Sequence, residues 1–400
     1  MSAPTVPDGW QLTPLGNAVT LQRGFDLPQR LRRHGNVPVV SSAGVTAHHC
    51  ASMVAPPGVV TGRYGTIGEI FFIEEPFWPL NTTLYARDFH SNDERFVYYL
   101  LHRFDFATYS GKSGVPGVNR NDLHGEPVAL PIDLNEQRAI AQALSDVDAL
   151  LAGLDRLIAK KRDLKQAAMQ QLLSGRRRLP QLGAPDAKWK KTEMGPIPED
   201  WRLARLVDLV DPSRAIRYGI VQPGEYDPQG RYMIRGQDYS QAKGWAKPTE
   251  VFRVSPAIEG RYANARVKAG DLIMTIVGYC GHVETVPQWL DGANLTQTTA
   301  RVSIRSDIAV SEYVMYALRG AIGQRQVAAY LKGAAQPGLN CGDVEQFLVP
   351  LPSKAEQTAI ARVLQNMDSE IQKLDERITK TDELKQAMMQ ELLTGRIRLI

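Results

Sequence analysis

Apolar residues recur at alternating steps of four and three along two stretches of the chain, at positions 140 to 158 and 360 to 378. This spacing places apolar side chains along one face of a helix and is typical of helices that pair through a narrow seam. We therefore predict two long helices that pack on each other. Their seam residues are Ile140, Leu144, Val147, Leu151, Leu154, Ile158, Ile360, Leu364, Met367, Ile371, Leu374 and Ile378.

The seam is interrupted at the same place in both stretches. Lys161 and Lys165 occupy seam positions in the first stretch, and Thr381 and Lys385 occupy them in the second. We interpret this polar break as the place where a partner protein replaces the sister helix. Lys161, Lys165 and Lys385 are then candidates for partner docking. Reversing the charge of Lys165 and Lys385 is expected to impair assembly and leave the chain folded.

The two stretches are copies of one sequence. Residues 136–179 and 356–399 align without a gap, and 23 of the 44 positions are identical. Each copy ends in a glycine followed by arginines, which is typical of a helix that terminates in a left-handed glycine, here Gly175 and Gly395. Weaker similarity extends upstream of both helices. The chain is therefore a tandem repeat whose helices stayed alike while the preceding segments diverged.

Each helix follows a domain of mixed secondary structure, so the predicted fold class is α+β: two tandem mixed α/β domains, each followed by a long helix. Short β-branched segments predict strands at Val37–Val40, Val59–Thr61, Ile70–Ile73, Met233–Ile234 and Leu272–Val277. Short helices are predicted at Glu94–Phe104 and Ser311–Tyr330, and Trp10 and Trp201 are predicted core anchors. The predicted division is a first domain at 1–130, a central helical spacer at 131–178, a linker at 179–197, a second domain at 198–350 and a C-terminal helical spacer at 351–400.

We expect the two helices to pair as an antiparallel coiled coil with pseudo-twofold symmetry, which would place the domains at opposite ends of a rod. About 30 helical residues span roughly 45 Å, and one turn of B-DNA takes about 34–36 Å. The domains could therefore address points about one turn of DNA apart. Such a rod suits a DNA sequence that is split into two parts.

Composition and charge narrow the class of protein. The 400 residues are 43% hydrophobic and 22% charged, which is ordinary for a globular protein of two or more domains. Three scattered cysteines fit the reducing cytoplasm, and we find neither an N-terminal signal core nor an apolar run long enough for a membrane span. The net charge of +4 is concentrated in residues 131–197. The nearly neutral domains would bind DNA only through individually placed residues or with a partner.

The tryptophan-led starts, the PGVN and PGLN turns at 116–119 and 337–340 and the duplicated "LKQ…LL[ST]GR" helix ends together resemble the specificity subunit of type I restriction-modification systems. The resemblance covers nearly the whole chain and is strongest in the helices. It implies that 1–130 and 198–350 are target-recognition domains, each reading one half of a bipartite double-stranded DNA site. It also implies that the helices set the spacing and dock two methyltransferase subunits, with restriction subunits as further partners.

The resemblance further implies that this chain binds no cofactor, and that S-adenosylmethionine, ATP and Mg belong to the partner subunits. The sequence agrees, because it holds no G-x-G-x-x-G, no P-loop and no adenine-methylase NPPY or DPPY motif. The glycines of Thr61–Gly68 allow a phosphate-cradling loop, but a strand–turn–strand fits them better. His48 and Cys50 have no second ligand pair at a zinc spacing, so no metal site is predicted.

Base reading requires polar and basic side chains on loops that reach base edges. The candidates in the first domain are Arg30, Arg32, Arg33, Ser41, Arg63, Tyr64, Lys112, Asn119 and Arg120. The candidates in the second domain are Arg217, Arg235, Gln237, Tyr239, Tyr279, Lys332, Gln336 and Asn340. Arg235, Gln237 and Tyr239 follow a predicted strand, whose alternation would aim them at one face.

Two glycine-rich turns carry the favoured contacts, Lys112 with Asn119 and Lys332 with Asn340. The alternative is that both asparagines satisfy backbone groups of a turn. Rival functions also remain at this stage: a protein-binding scaffold, an enzyme in its own right, or the specificity chain of a type II-like restriction-modification system. The target sequence itself cannot be derived from the chain.

Overall fold

The computed structural model describes residues 6–109, 117–182, 188–240, 244–333 and 337–399. The contacts divide the chain into unit 1, which comprises Met1–Leu157 and Leu374–Ile400, and unit 2, which comprises Ile158–Lys373. The divisions fall inside the two long helices. Each unit therefore contains one mixed domain, the beginning of the long helix that follows it and the end of the other long helix.

Unit 1 is built on short strands that precede the first long helix. The strands are β1 Trp10–Pro14, β2 Thr20–Arg23, β3 Val37–Ser41, β4 Gly44–His49, β5 Gly58–Gly62, β6 Ile70–Ile73, β7 Trp78–Pro79, β8 Thr83–Asp88 and β9 Pro127–Pro131. The helices are α1 Leu15–Ala18, α2 Glu94–Leu101, α3 Arg120–His124 and the long helix α4 Leu134–Leu173.

The central sheet of unit 1 has the strand order β2-β8-β5-β6 and is antiparallel. Its strand β5 is buried along its whole length, as its β-branched sequence GVVTG favours. A second sheet has the order β4-β3-β7, and β1 pairs with β9. The three strands predicted in this domain are confirmed.

Unit 2 contains the remaining strands and helices. The strands are β10 Trp189–Thr192, β11 Gly195–Pro198, β12 Arg202–Arg205, β13 Arg217–Tyr218, β14 Arg231–Ile234, β15 Tyr239–Ser240, β16 Gly244–Trp245, β17 Arg253–Val254, β18 Leu272–Thr275, β19 Val283–Thr285, β20 Asn294–Leu295, β21 Thr299–Val302 and β22 Leu348–Leu351. The helices are α5 Leu206–Leu209, α6 Pro256–Glu259, α7 Ser311–Arg319, α8 Ala321–Tyr330, α9 Cys341–Glu345 and the long helix α10 Lys354–Leu392.

The sheets of unit 2 repeat those of unit 1. The order β13-β21-β18-β19 corresponds to β2-β8-β5-β6, β17-β14-β20 corresponds to β4-β3-β7, and β12–β22 corresponds to β1–β9. Each corresponding pair also has the same parallel or antiparallel sense. The duplication that is faint in the sequence of the domains is therefore clear in their topology, to which unit 2 adds the two-stranded sheets β10–β11 and β15–β16.

Two sequence predictions for unit 2 need correction. The single helix predicted at 311–330 is divided, because Gly320 is extended at ψ 174° and Gly323 approaches the carbonyl of Leu318 too closely for a side chain. The predicted linker at 179–197 is also not all irregular. Its second half folds into the hairpin β10–β11, in which Trp189 pairs with Pro198.

Each domain core is anchored by a tryptophan that packs on the glycine cap of a long helix. In unit 1, Trp10 is 6% exposed, and a side chain on Gly395 would come within 3.0 Å of its ring. In unit 2, Trp201 is 1% exposed and lies against Gly175, which also contacts Pro198. Both glycines have positive φ, +72° and +71°. The predicted core anchors and glycine caps are confirmed, and these glycines are required for both conformation and space.

The long helices run antiparallel within each unit. In unit 1, Lys385 near the end of α10 lies 2.7 Å from Asp148 in the first half of α4. In unit 2, Lys165 near the end of α4 forms an ion pair with Asp368 in α10. The second pair is the first one shifted by 220 residues, with the helices exchanging roles. The seam residues of both helices are buried or half-buried, as predicted.

A tyrosine completes each of these ion pairs. Tyr99 donates its hydroxyl to Asp148 at 2.7 Å, and Tyr316 donates to Asp368 at the same distance. Burial first, and then the hydrogen bond to the carboxylate, raises the pKa of each tyrosine. Each aspartate therefore accepts from one helix and from one domain, which couples the domain to the helix pair.

The interpretation of the polar break as a gap in the helix pair is wrong. The sister helix is present in each unit and supplies the carboxylate that pairs with Lys165 or Lys385, whose side chains are only 19% and 16% exposed. These seam positions are polar because the two long helices are joined there by an ion pair and not by an apolar contact. Lys161 is more exposed, at 36%, and reaches Glu370 at 2.7 Å.

Two further ion pairs, one in each unit, join the end of one long helix to the first turn of the other. Arg398, which follows the glycine cap of α10, binds Glu136 in the first turn of α4 at 2.7 Å. Arg178 binds Glu356 in the first turn of α10 in the same way, at 2.6 Å. The two glutamates are 0% and 1% exposed. A buried carboxylate without its cation is costly, so Arg178 and Arg398 have a structural role.

We predict that Lys165→Glu lowers the free energy of unfolding by about 2 kcal/mol, because it removes the partner of a half-buried aspartate and places a like charge beside it. Adding Asp368→Lys should restore part of the loss. Lys161→Ala is the matched control, since an exposed pair contributes under about 1 kcal/mol. Chemical denaturation of the parent chain, the two single variants and the double variant measures their free energies of unfolding. Equal stability of Lys165→Glu and the parent chain would contradict the structural role.

Candidate functional site

Corresponding hairpins in the two units display a tyrosine at their tips. The hairpin β5–β6 of unit 1 carries Arg63 and Tyr64, and the hairpin β18–β19 of unit 2 carries Tyr279. Each hairpin meets the glycine of the proline–glycine turn in its own unit, through bridges from Tyr64 to Gly117 and from Val277 to Gly338. The hairpin expected at 61–68 is thus confirmed, and it belongs to a site that occurs twice.

The asparagines of the two turns act as helix caps. Asn119 precedes α3 and accepts from the backbone N–H of Asn121, while its amide donates to Asp122 at 2.8 Å. Asn340 precedes α9 and forms a capping box with Asp343. This is the turn-stabilising role that the sequence left open as the alternative. Both side chains remain exposed, so a DNA contact by either one stays a prediction.

A cleft of about 400 Å³ lies beside the hairpin tip of unit 1. Its described lining contains three arginines and no carboxylate: Arg23, Arg63 and Arg120, with Tyr64, Leu84, Gly117, Val118, Asn119 and Asn121. The guanidinium of Arg63 stacks 4.4 Å above the Tyr64 ring. The cleft is therefore positive and aromatic, which suits a polyanion with flat bases.

The corresponding cleft of unit 2 is about 470 Å³ and less charged. Arg235 is the charged residue of its described lining, and its polar neighbours include Gln237, Gln297 and Thr298. Arg235 is fixed by an ion pair to Asp238 at 2.7 Å. Glutamine and threonine can both donate to and accept from base edges, so this cleft suits contacts to bases more than to phosphates.

The predicted alignment of Arg235, Gln237 and Tyr239 on one face is wrong. Residues 235–238 form a turn that Asp238 closes by accepting from the Arg235 N–H at 2.8 Å. Gln237 is exposed, but Tyr239 is 2% exposed and stacks on His282 at 5.1 Å between ring centres. Strand alternation does not apply in a turn, and Tyr239 belongs to the core beneath the cleft.

The other candidates lie outside the two clefts. Arg30 lies within a short 3₁₀ segment at Gln29–Leu31, and Arg32 and Arg33 follow it. Ser41 closes the β3–β4 turn by donating to the Gly44 carbonyl at 3.1 Å. Arg217 is exposed on β13. Lys332 binds Asp343 at 2.8 Å and is 61% exposed. Lys112 and Gln336 fall outside the described residues.

Sequence reasoning missed Arg23, Asn121, Gln297 and Thr298, which line the clefts. A signal was available for the last two, because the segment after Asn294 matches the segment after Asn81 in the first repeat. Arg23 ends β2 and has no comparable signal.

Within the described ranges, no cluster of three or more His, Cys, Asp or Glu is placed to hold a metal ion. A search of the same residues for a helix with the length and apolar character needed to cross a membrane finds none.

Comparison with known proteins matches this architecture. The family model described as the type I restriction modification DNA specificity domain matches twice, at residues 7–160 and 198–385. The specificity subunit of the type I restriction enzyme EcoBI from Escherichia coli is 24% identical over 422 aligned positions, which cover 98% of this chain and 87% of that protein.

Two solved structures share the fold. A type I restriction-modification S subunit from M. genitalium has a TM-score of 0.61 at 14% identity and covers 98% of this chain and 97% of its own. A chain solved in work on complex assembly and conformational transition of the type I system has a TM-score of 0.58 at 15% identity. That match covers 99% of this chain and 100% of its own.

We predict a pH-dependent stability of unit 2 that originates at His282. Burial first, and then the charge of Arg319, lowers the pKa of His282 to about 4. Its neutral form is favoured in the folded chain, so stability is lost as the pH falls from the unfolded value of about 6.5 toward 4. His282→Gln should remove this part of the loss. An unchanged pH profile of unfolding in the variant would contradict the assignment.

Proposed function

The chain belongs to the family of type I restriction-modification DNA specificity subunits, and from this premise we propose how its two units divide the work. Each unit reads one half of a bipartite double-stranded DNA site through the cleft beside its tyrosine-tipped hairpin. The observation that carries this proposal is the repetition of the same hairpin, turn and cleft in two domains whose sequences have diverged.

The chemistry of the clefts supports two different half-sites. The lining of the first cleft has three arginines, of which Arg23 pairs with the exposed Asp26, whereas the second has one arginine, paired with the buried Asp238, together with glutamines and threonines. Arginine favours guanine and phosphate, and glutamine favours adenine. The same scaffold would thus present different hydrogen-bonding groups to each half of the site.

The long helices are proposed to set the distance between the half-sites and to dock two methyltransferase subunits. Because Lys165 and Lys385 are largely buried in their ion pairs, the more exposed Lys161, which pairs with the exposed Glu370, and the outward faces of α4 and α10 are the better docking candidates. Exposed leucines on these faces, Leu150, Leu157, Leu164 and Leu384, offer apolar contact area.

Specificity subunits of this family are non-catalytic, and the proposed chemistry lies on partner subunits. Methyltransferase subunits would bind S-adenosylmethionine and methylate adenine, and restriction subunits would use ATP and Mg to translocate and cleave. The cytoplasm, where the DNA substrate is present, is the proposed location. A type II-like specificity chain and a protein-binding scaffold are not favoured, because the family match covers both domains.

Exchange of one domain tests the proposal. Replacing residues 1–130 with the corresponding domain of another family member should change one half of the methylated motif and leave the other half and the gap unchanged. The readout is the set of methylated adenines in a genome that expresses the chimera with its methyltransferase partner.

The reciprocal exchange of residues 198–350 is the matched control and should change only the other half. A chimera that methylates the parental motif in full, or that changes both halves at once, contradicts one reader per unit. Loss of methylation in both chimeras with retained folding would show that the domains do not act independently.

A further inference from the structure

Tyr279 stands out as the most exposed large side chain among the apolar and aromatic residues of the described chain. It is 95% exposed, whereas the next most exposed tyrosine, Tyr226, is 54% exposed and packs its ring edge-on against Phe252. Burying a large apolar side chain stabilises a fold. The fold forgoes this stabilisation at position 279.

The exposure of Tyr279 is not the result of a loose loop. Gly278 and Gly281 flank it in the left-handed region, at φ +79° and +87°. The Gly278 N–H donates to the Pro337 carbonyl at 3.0 Å, and the Gly281 N–H donates to the Thr275 carbonyl at 2.8 Å. The hydroxyl of Thr275 also donates to the Tyr279 carbonyl. The backbone is tied on both sides while the ring points away from the chain.

Tyr64 lies in the corresponding hairpin of unit 1, two residues before the position equivalent to Tyr279, because the bridges to Gly117 and Gly338 align Tyr64 with Val277. Its N–H and that of Arg63 both donate to the Thr82 carbonyl, at 3.1 and 2.8 Å. The ring is 39% exposed because it lies against Gly117, where a side chain would come within 2.2 Å of it. The two domains thus both hold a tyrosine at the rim of the cleft, at neighbouring but non-equivalent positions of the hairpin.

The residues that line the two clefts indicate which kind of molecule packs against these tyrosines. The first cleft is lined by three arginines, which complements a polyanion, and the second presents glutamine and threonine side chains that can bond to base edges beside an arginine paired with Asp238. A tyrosine on a rigid loop offers a flat contact area at a low conformational cost. Aromatic faces are favourable partners for nucleic-acid bases.

We propose that Tyr279 and Tyr64 are specificity-determining contacts in which the aromatic ring packs against bases of the second and the first half-site, respectively. The inference rests on the proposed function and deepens it, because it names the ring and not the hydroxyl as the contacting group. Tyr279 contributes more than Tyr64, whose ring is already partly covered by Arg63 and Gly117.

The experiment compares Tyr279→Phe, Tyr279→Ala and the control Tyr226→Ala in the full chain assembled with its methyltransferase subunits. The probe is a short duplex that carries the motif methylated by the parent complex, and a second duplex has its second half-site scrambled. Tyr279→Ala should weaken binding to the motif roughly 10-fold, or about 1.4 kcal/mol. Tyr279→Phe and Tyr226→Ala should bind within about two-fold of the parent.

On the scrambled duplex, the parent and Tyr279→Ala should bind equally, because the contact that the substitution removes is already lost. Thermal unfolding should not change, since exposed substitutions have small effects. Parent-like binding of Tyr279→Ala to the motif overturns the inference, and so does an equal loss in Tyr279→Phe. If the parent complex itself does not distinguish the motif from scrambled DNA, the proposed function fails instead.

Discussion

Two ion-pair clusters, one in each unit, hold the structure to its antiparallel arrangement. Asp148 accepts from Tyr99 of the domain and from Lys385 of the opposite helix, and Asp368 is engaged in the same way by Tyr316 and Lys165. Buried glutamates in the first turn of each long helix add the same constraint. A slip of the helices would leave these carboxylates without cations, at a high cost in free energy. The repeated helix end therefore has a structural reason for its lysine, its glycine and its last arginine, Arg178 or Arg398.

This constraint separates the part of the chain that must stay the same from the part that can vary. The helix ends, the tryptophans and the glycine caps meet in each unit and leave little freedom of substitution. The clefts lie on hairpin tips and turns, where side chains can change with little effect on the core. One repeat can thus present three arginines and the other a mainly neutral set of polar groups on the same strand order. Under the proposed function, this is how two half-sites come to differ.

The sequence predicted the parts of the fold that depend on periodicity and failed where contacts are non-local. Seam residues such as Ile140 and Leu144, the glycine caps and the buried tryptophans follow from local pattern, and they are confirmed. The partner of Lys165 lies some 200 residues away, and no local pattern identifies Asp368. The prediction that Tyr239 shares an exposed face with Arg235 is wrong because the alternation of side chains along a strand stops at the end of β14, where a turn begins. The hairpin tips were among the predicted contacts, but only the topology shows that Tyr64 and Tyr279 lie in equivalent hairpins.

The central claim is that one chain presents two separate readers at a fixed distance. The most direct measurement is the motif methylated in the genome of a cell that expresses this chain with its methyltransferase partner. We predict two short specific segments separated by a nonspecific gap of constant length, with one methylated adenine in each segment. A single continuous motif, or a gap whose length varies among methylated sites, would contradict the claim.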